Sequence, residues 1–249
     1  MIIWLASYPK SGNTWIRSLL CSYFFSKNKF GLLDLKRIPR FSLSDFIENK
    51  NLLKTNLNVA EQWINAQTYI NKKIKKTVFF KTHNAALSVN KNLFTDSNNT
   101  AGCIYVVRDP RNIITSYKNF ESISYERALK HMTNSDAFLF DKKKFENKFG
   151  FRGYEPIMSW SENYKSWAHN KLGIPVHLIK YEDMIKDTLG ELKKIIDFIA
   201  EIQKDKNLKF DNEKGKRAVD QSSFQSLSEL ESINGFSEAR EGRKFFHLG

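Results

Sequence analysis

The chain has 249 residues, enough to bury a full core, and the economical expectation is one α/β domain spanning 1–249. Forty Lys and Arg against 27 Asp and Glu leave a formal charge of +13, so nucleic acid, an anionic membrane surface and small multiply charged anions all qualify as partners, while much of the lysine also serves as solvated surface. No run reaches the roughly 18 uncharged apolar residues of a membrane span, Lys10 and Arg17 interrupt the N-terminal apolar run and argue against a signal peptide, and Cys21 and Cys103 lie in apolar segments as buried free thiols of a reducing compartment, with no zinc-ligand spacing. The expected setting is cytoplasmic.

Ile2-Ile3-Trp4-Leu5 is a short apolar run, the mark of a buried strand. Tyr8-Pro9-Lys10-Ser11-Gly12 is a turn. From Asn13 a helix begins, with Trp15, Ile16, Leu19, Leu20, Tyr23 and Phe24 on one face. A strand, a Gly-containing turn and a helix N-terminus form an anion site, because the first helical N–H groups lack partners and the helix dipole favours negative charge. Lys10 adds a positive charge; Ser11 and Thr14 add hydroxyl donors. The plainer alternative is an ordinary corner carrying a surface lysine. The order P-K-S-G-N-T-W is not the G-x-x-x-x-G-K-[ST] of nucleoside triphosphatases. It resembles the 5′-phosphosulfate loop of the sulfotransferases, usually Y-P-K-S-G-T-T-W, with Asn13 replacing the first Thr. That resemblance implies 3′-phosphoadenosine 5′-phosphosulfate (PAPS) as donor. It implies Ser11, Gly12, Asn13 and Thr14 around the 5′-phosphate, Trp15 on the adenine, and Lys10 at the bridging oxygen and leaving phosphate.

Residues 27–57 are mixed, with Ser42 or Ser44 able to cap a helix through Ile47. Val59, Ala60, Trp63, Ile64 and Ile70 predict a second helix with a core-facing stripe. Thr77-Val78-Phe79-Phe80-Lys81 is β-prone and runs into Thr82-His83-Asn84. A histidine at the end of a buried parallel strand lies where α/β folds bind ligands, although alone it reads more often as structural. Lys81-Thr82-His83 resembles the K-T-H of cytosolic sulfotransferases, which implies His83 as catalytic base and Lys81 near the sulfuryl group. A neutral imidazole suits removal of an acceptor proton.

Residues 102–107 form the clearest central strand, ahead of Arg108-Asp109-Pro110-Arg111 and a helix from Asn112 through Phe120. Arg108 and Ser116 match the family's 3′-phosphate motif, and an Arg fork with a hydroxyl suits a phosphate monoester. The alternative is Arg108 paired with Asp109 or Glu121 as scaffold. Residues 121–157 show little periodicity; Phe138, Phe140, Phe145, Phe149, Phe151 and Tyr154 serve equally as an acceptor pocket or lid and as a satellite core. An amphipathic helix is expected over 154–170, ended by Gly173, then a strand over 176–180. Tyr181-Glu182-Asp183 resembles the family's Y-E-D, implying Tyr181 beside the adenine, with the two carboxylates structural. A helix follows over 188–201. Residues 204–216 read as a charged, exposed connection, a nucleic-acid patch being disfavoured for want of interleaved aromatics. Ser222-Ser223-Phe224 resembles the family's T-S-F, implying adenine contacts from Ser222 and Phe224. At the C-terminus the family's R-K-G is replaced by His247-Leu248-Gly249, with His247 and Gly249 in the matching donor-site positions; Arg240, Arg243 and Lys244 lie just upstream.

The resemblance implies an α/β fold with a central parallel sheet flanked by helices, related to P-loop nucleotide kinases. It implies sulfuryl transfer from PAPS to a hydroxyl or amine of a small-molecule acceptor, by positioning and preorganised dipoles and without a metal. No nucleic-acid partner is expected, and the oligomeric state is open. Three alternatives remain at this level: a P-loop-type small-molecule kinase, a non-catalytic basic module for nucleic acid or another polyanion, and a sulfotransferase-like fold that binds its nucleotide poorly.

Overall fold

Strand β1 (Ile2–Ser7) is buried at every position, as a central strand covered on both faces requires. The computed structural model describes residues 1–26, 29–47, 49, 53, 55–139, 154–239 and 244–246. After β1 come α1 (Asn13–Phe25), two short 3₁₀ helices (Leu32–Arg37 and Leu43–Asp45), α2 (Asn56–Lys73), β2 (Val78–Thr82) and a small hairpin of β3 (Ser88–Val89) and β4 (Asn92–Leu93). Then follow β5 (Thr100–Val107), α3 (Pro110–Glu121), α4 (Tyr125–Met132), the pair β6 (Phe138–Leu139) and β7 (Glu155–Pro156), α5 (Trp160–Ala168) and β8 (Val176–Lys180). The last elements are α6 (Tyr181–Lys186), α7 (Thr188–Gln203), α8 (Asn212–Gln221) and α9 (Phe224–Asn234). The central sheet is all parallel in the order β2–β1–β5–β8. This is the α/β architecture expected from the sequence.

Alternation along β1 sends its side chains to two cores. Ile3 and Leu5 join Ile16, Leu19 and Leu20 of α1 and Leu192, Ile195, Ile196 and Ile199 of α7. Ile2, Trp4 and Ala6 join Val59, Trp63 and Ile70 of α2, with Phe94 and Trp167. Trp4 sits in register between Phe80 and Cys103. Its indole N–H donates to Thr100 Oγ1 at 2.9 Å, so the buried polar handle is satisfied. Cys21 and Cys103 are buried free thiols. No helix among the described residues is long and apolar enough to cross a membrane.

Several local expectations are corrected. Ser42 starts a single 3₁₀ turn over Leu43–Asp45 and makes no side-chain cap, so no helix reaches Ile47. The span 121–157 holds α4, capped by Ser124, whose side chain accepts from Arg127 N–H. The helix expected over 154–170 is only Trp160–Ala168: Glu155–Pro156 is strand, and Ser159 with Glu162 forms a capping box that sets the start. Its C-terminal cap is His169, and Gly173 (φ +67°) lies in the turn beyond. The connection over 204–216 contains the start of α8, capped by Asp211. Phe138 and Tyr154 meet with ring centroids 5.4 Å apart; Phe140, Phe145, Phe149 and Phe151 lie outside the described residues.

Candidate functional site

The C-terminal ends of β1, β2, β5 and β8 lie side by side, the edge where open parallel sheets bind ligands. After β1 the chain turns through Lys10 (φ +67°) and Gly12 (φ +101°) into α1. The Gly12 carbonyl accepts from Trp15 N–H at 3.0 Å and Ile16 N–H at 3.2 Å. The amides of Gly12, Asn13 and Thr14 therefore precede the helical ladder and face the turn, as an anion-binding N-terminus requires. Glycine is required at position 12 twice over. Its φ is left-handed, and a Cβ there would lie 2.6 Å from Tyr181 Cδ2. Gly12→Ala should cost about 1–2 kcal/mol in backbone strain alone and dislodge the Tyr181 ring. The expected result is at least a tenfold loss of affinity for adenosine 3′,5′-bisphosphate (PAP) by calorimetry.

Tyr181, immediately after β8, is the piece around which three strand ends assemble. Beyond its contact with Gly12, its ring centroid is 5.5 Å from that of Trp15, edge to face. The Arg108 guanidinium carbon sits 4.2 Å from the same ring. Arg108 follows β5 and donates from Nη1 to the Lys10 carbonyl at 3.3 Å. Asp109 pairs with Arg111 instead of Arg108. Glu182 accepts from the Asp109 N–H at 2.9 Å, a structural role for one of the two carboxylates after β8.

Ser11 Oγ, Trp15 Nε1, Arg108 Nε and Ser222 Oγ are buried and make no hydrogen bond among the described residues. An unsatisfied buried polar group costs about 1–3 kcal/mol. Three of the four belong to residues gathered at the loop and Tyr181. Ser222 ends α8, which packs along α1. Hydroxyl, indole and guanidinium donors of this kind fit a nucleotide carrying several phosphate oxygens.

The Lys10 ammonium lies 4.1 Å from the Phe120 ring centroid and 4.4 Å from that of Phe245. Burial, with the Arg108 and Lys81 charges, pulls its pKa down to about 8, against a smaller opposing effect of Glu121. Phe245 is held there by its N–H, which donates to Glu231 at 2.6 Å.

His83, just past β2, has Nδ1 2.8 Å from the Ser7 carbonyl oxygen. A carbonyl only accepts, so Nδ1 carries the proton and Nε2 keeps its lone pair. Burial, reinforced by Lys81, holds the imidazole pKa at about 4 despite the opposing Glu155 charge. Glu155 is itself gripped by Arg40 through two 2.8 Å contacts. His83 is therefore neutral at physiological pH, with one defined tautomer.

Lys81 is buried, and its ammonium pairs with Glu238 at 2.6 Å. Arg17 grips the other oxygen of the same carboxylate at 2.7 Å. Burial would raise the Glu238 carboxyl, but Lys81 and Arg17 outweigh it and hold the pKa at about 2. Asn13 turns away from the loop: its side chain donates to the Leu5 carbonyl at 3.0 Å and Ser7 Oγ at 3.3 Å, leaving its backbone amide to face the turn. Thr14 is buried beside it. Ser116 lies half-buried in the second turn of α3. Phe224 opens α9 and is 45% exposed. Lys244 donates to Ser232 Oγ. Arg240, Arg243, His247, Leu248 and Gly249 lie outside the described residues.

Two groups escaped the sequence reading. Glu238 sits in a polar stretch without periodicity, and nothing local marks it. Asn163 lies in the first turn of α5 with nothing local to mark it, and two of its side-chain bonds, to the His83 carbonyl and from the Tyr105 hydroxyl, run to residues distant in the chain. Among the described residues, no group of three or more His, Cys, Asp or Glu could hold a metal ion.

The sulfotransferase domain family model matches residues 2–248. The chain belongs to the sulfotransferase domain family. PAPS-dependent sulfuryl transfer is the reaction of that family, as the K-S-G loop implied. Relatives include rat (Rattus norvegicus) sulfotransferase 2A6, 25% identical over 246 residues, covering 96% of this chain and 74% of that protein. Luciferin sulfotransferase of Photinus pyralis is 26% identical over 227 residues, covering 87% and 58%. Among solved structures, mouse sulfotransferase SULT7A1 complexed with PAP aligns with a TM-score of 0.54 at 19% identity, covering 91% of this chain and 65% of that one. Retinol dehydratase in a complex with retinol and PAP aligns with a TM-score of 0.56 at 16% identity, covering 99% and 73%. The chain thus spans about two thirds to three quarters of most of these proteins, and what it shares with the solved structures is the fold.

Proposed function

We propose that this sulfotransferase-family chain moves a sulfuryl group from PAPS to a hydroxyl or amine of a small molecule, with His83 as general base and Lys10 as the cation at the leaving phosphate. PAPS supplies the activated sulfuryl group. The Gly12, Asn13 and Thr14 amides and the Ser11 hydroxyl hold the 5′-phosphate; Arg108 and Ser116 hold the 3′-phosphate. Trp15, Tyr181, Ser222 and Phe224 face the adenine. Nε2 of His83 takes the acceptor's proton as its oxygen or nitrogen becomes nucleophilic. Lys10 and the helix amides stabilise the charge that develops on the departing phosphate. Lys81, held by Glu238, adds to the local field. His247 and Gly249 complete the 3′-phosphate grip at the C-terminus. Two buried free thiols support a cytoplasmic setting, and the relatives named for luciferin and retinol support a small-molecule acceptor.

The observation that carries this reading is the His83 ring, neutral and fixed by the Ser7 carbonyl at 2.8 Å, beside a glycine-cornered helix N-terminus with its own lysine. The test is thermal stability with PAP, AMP and ATP–Mg²⁺. A ligand at a hundred times its Kd adds about 2.7 kcal/mol. Stabilisation by PAP alone is expected; a response confined to ATP–Mg²⁺ would favour a kinase. A screen of phenols, alcohols and amines with PAPS then defines the acceptor. PAP affinity should also fall as pH rises through about 8, because Lys10 loses its proton there in the free protein and must regain it to pair with phosphate. Calorimetry in two buffers of different ionisation enthalpy should show proton uptake on binding above that pH. Pure pH independence would remove Lys10 from the phosphate.

A further inference from the structure

Asn163 of α5 is fully buried, and its amide is used on both sides. Nδ2 donates to the His83 carbonyl at 3.0 Å and to the Ile157 carbonyl at 2.8 Å. Oδ1 accepts from the Tyr105 hydroxyl at 2.7 Å. The Ser7 carbonyl takes the His83 ring proton. The bonds therefore form a chain: the Tyr105 hydroxyl to Asn163, Asn163 to the His83 carbonyl, and the His83 ring to the Ser7 carbonyl.

The chain of bonds joins four separate parts of the fold. Ser7 and Tyr8 lead into the loop that carries Lys10 and Gly12. Tyr105 lies in the central strand, His83 at the end of β2, and Asn163 on a helix eighty positions further along. The Tyr105–Asn163 link is fully buried and the two links at His83 are part-buried, surroundings in which a hydrogen bond holds geometry more stiffly than in water. Burial keeps the Tyr105 phenol protonated at any working pH, so it always donates to Asn163. The ring of His83 and its own backbone carbonyl are thus both tied down by different elements, the ring to the end of β1 that leads into the donor loop and the carbonyl through Asn163 to Tyr105 of β5.

We propose that Asn163 and Tyr105 are positioning residues for the transfer step, forming a hydrogen-bonded chain from the central strand that holds His83 and its imidazole in register with the strand end leading into the donor loop. The proposal rests on His83 being the base. A group displaced by about 1 Å can cost 10²-fold in rate. Tyr105→Phe keeps the packed ring and removes only the hydroxyl, so it should lower kcat roughly tenfold and Asn163→Leu up to about a hundredfold. The KM for PAPS and the stabilisation by PAP should stay at wild-type values in Tyr105→Phe.

The test has two readouts. The first is ¹⁵N NMR of the imidazoles, tractable with only five histidines in the chain. Wild type should show His83 as a single Nδ1–H tautomer that stays neutral down to about pH 4. Tyr105→Phe should show a mixed tautomer and an earlier titration; an unchanged His83 signal overturns the proposal. The second is a cycle with His83→Ala, using PAPS and the acceptor found in the screen. Tyr105→Phe should slow the wild type and have no further effect once His83 is gone. The same loss in both backgrounds would mark a general loosening of the fold and overturn the positioning role. Full turnover in His83→Ala would overturn the base and this inference together, whereas loss there with an indifferent Tyr105→Phe would overturn the positioning chain alone. Should Asn163→Leu fail to fold, Tyr105→Phe decides.

Discussion

Replacing His83 with alanine should lower turnover by roughly 10²–10⁴-fold, the usual worth of a general base, and leave stabilisation by PAP unchanged. The ring's described contacts run to Ser7 and not to the phosphate loop, so donor binding has no reason to suffer. The pH dependence carries a second signature. Activity needs the neutral imidazole, which persists above about pH 4 and is lost as pH falls through that value. Turnover should therefore hold steady from neutrality down to about pH 5, where an ordinary histidine, with a pKa near 6.5, would already be almost fully protonated. Folding stability follows the same group. Between the unfolded value near 6.5 and the folded value near 4, the unfolded chain binds the proton and the native state does not. Wild type should lose stability as pH falls through this window, and His83→Ala should lose less. Retention of full turnover would remove His83 from the role.

Glu238→Gln should lower the melting temperature by roughly 10 °C. The substitution keeps the shape and removes the one charge that faces both Arg17 and Lys81. Both cations are nearly inaccessible, with side chains 3% and 7% exposed. Breaking a buried pair from one side typically costs about 3–5 kcal/mol, because the remaining charge is stranded, and each kcal/mol moves a chain of this size by about 2–4 °C. The pH dependence again has a definite sign. Glu238 titrates at about 2 in the folded protein against 4.5 ordinarily, so its contribution is complete above pH 4.5 and fades as pH falls through the folded value. The gap between wild type and variant should narrow between pH 5 and pH 3. A melting temperature within a degree or two of wild type at pH 7 would show that the pair adds nothing to stability.

The central strand was legible because a parallel strand buried on both faces is a nearly continuous apolar run, as residues 102–107 of β5 are, whereas β8 lies at the sheet edge, buries only Ile179 and was legible from its β-prone Val176, Leu178 and Ile179. The short polar helices were not. α4 buries only Ala128 and Met132, and α8 only Gly215 and Ala218, so neither writes an apolar stripe. In α5 the misjudged boundary came from weighing aromatic spacing above the stronger local signal, Ser159 with Glu162 three residues on. At the candidate site, Lys10, His83, Arg108 and Tyr181 each follow a strand, so their meeting at one sheet edge was readable from order along the chain. The inward turn of Asn13, the pairing of Lys81 with Glu238 and the bonds of Asn163 were not, since each depends on partners that only the folded chain brings together.

The close seat of Gly12 against Tyr181 also bears on how the protein is made. The loop is synthesised roughly 170 residues before the ring that seats it, an interval of roughly 10–30 s at ordinary elongation rates. β1 meets the same delay on both sides, since its neighbours β2 and β5 are distant in the chain. Such long-range pairing is intrinsically slow. During synthesis β1 therefore remains an unpaired apolar strand until β2 and β5 follow, and the loop reaches its final seat only after Tyr181 has docked. Slower translation between β5 and β8 should lengthen dependence on chaperones without altering the finished enzyme.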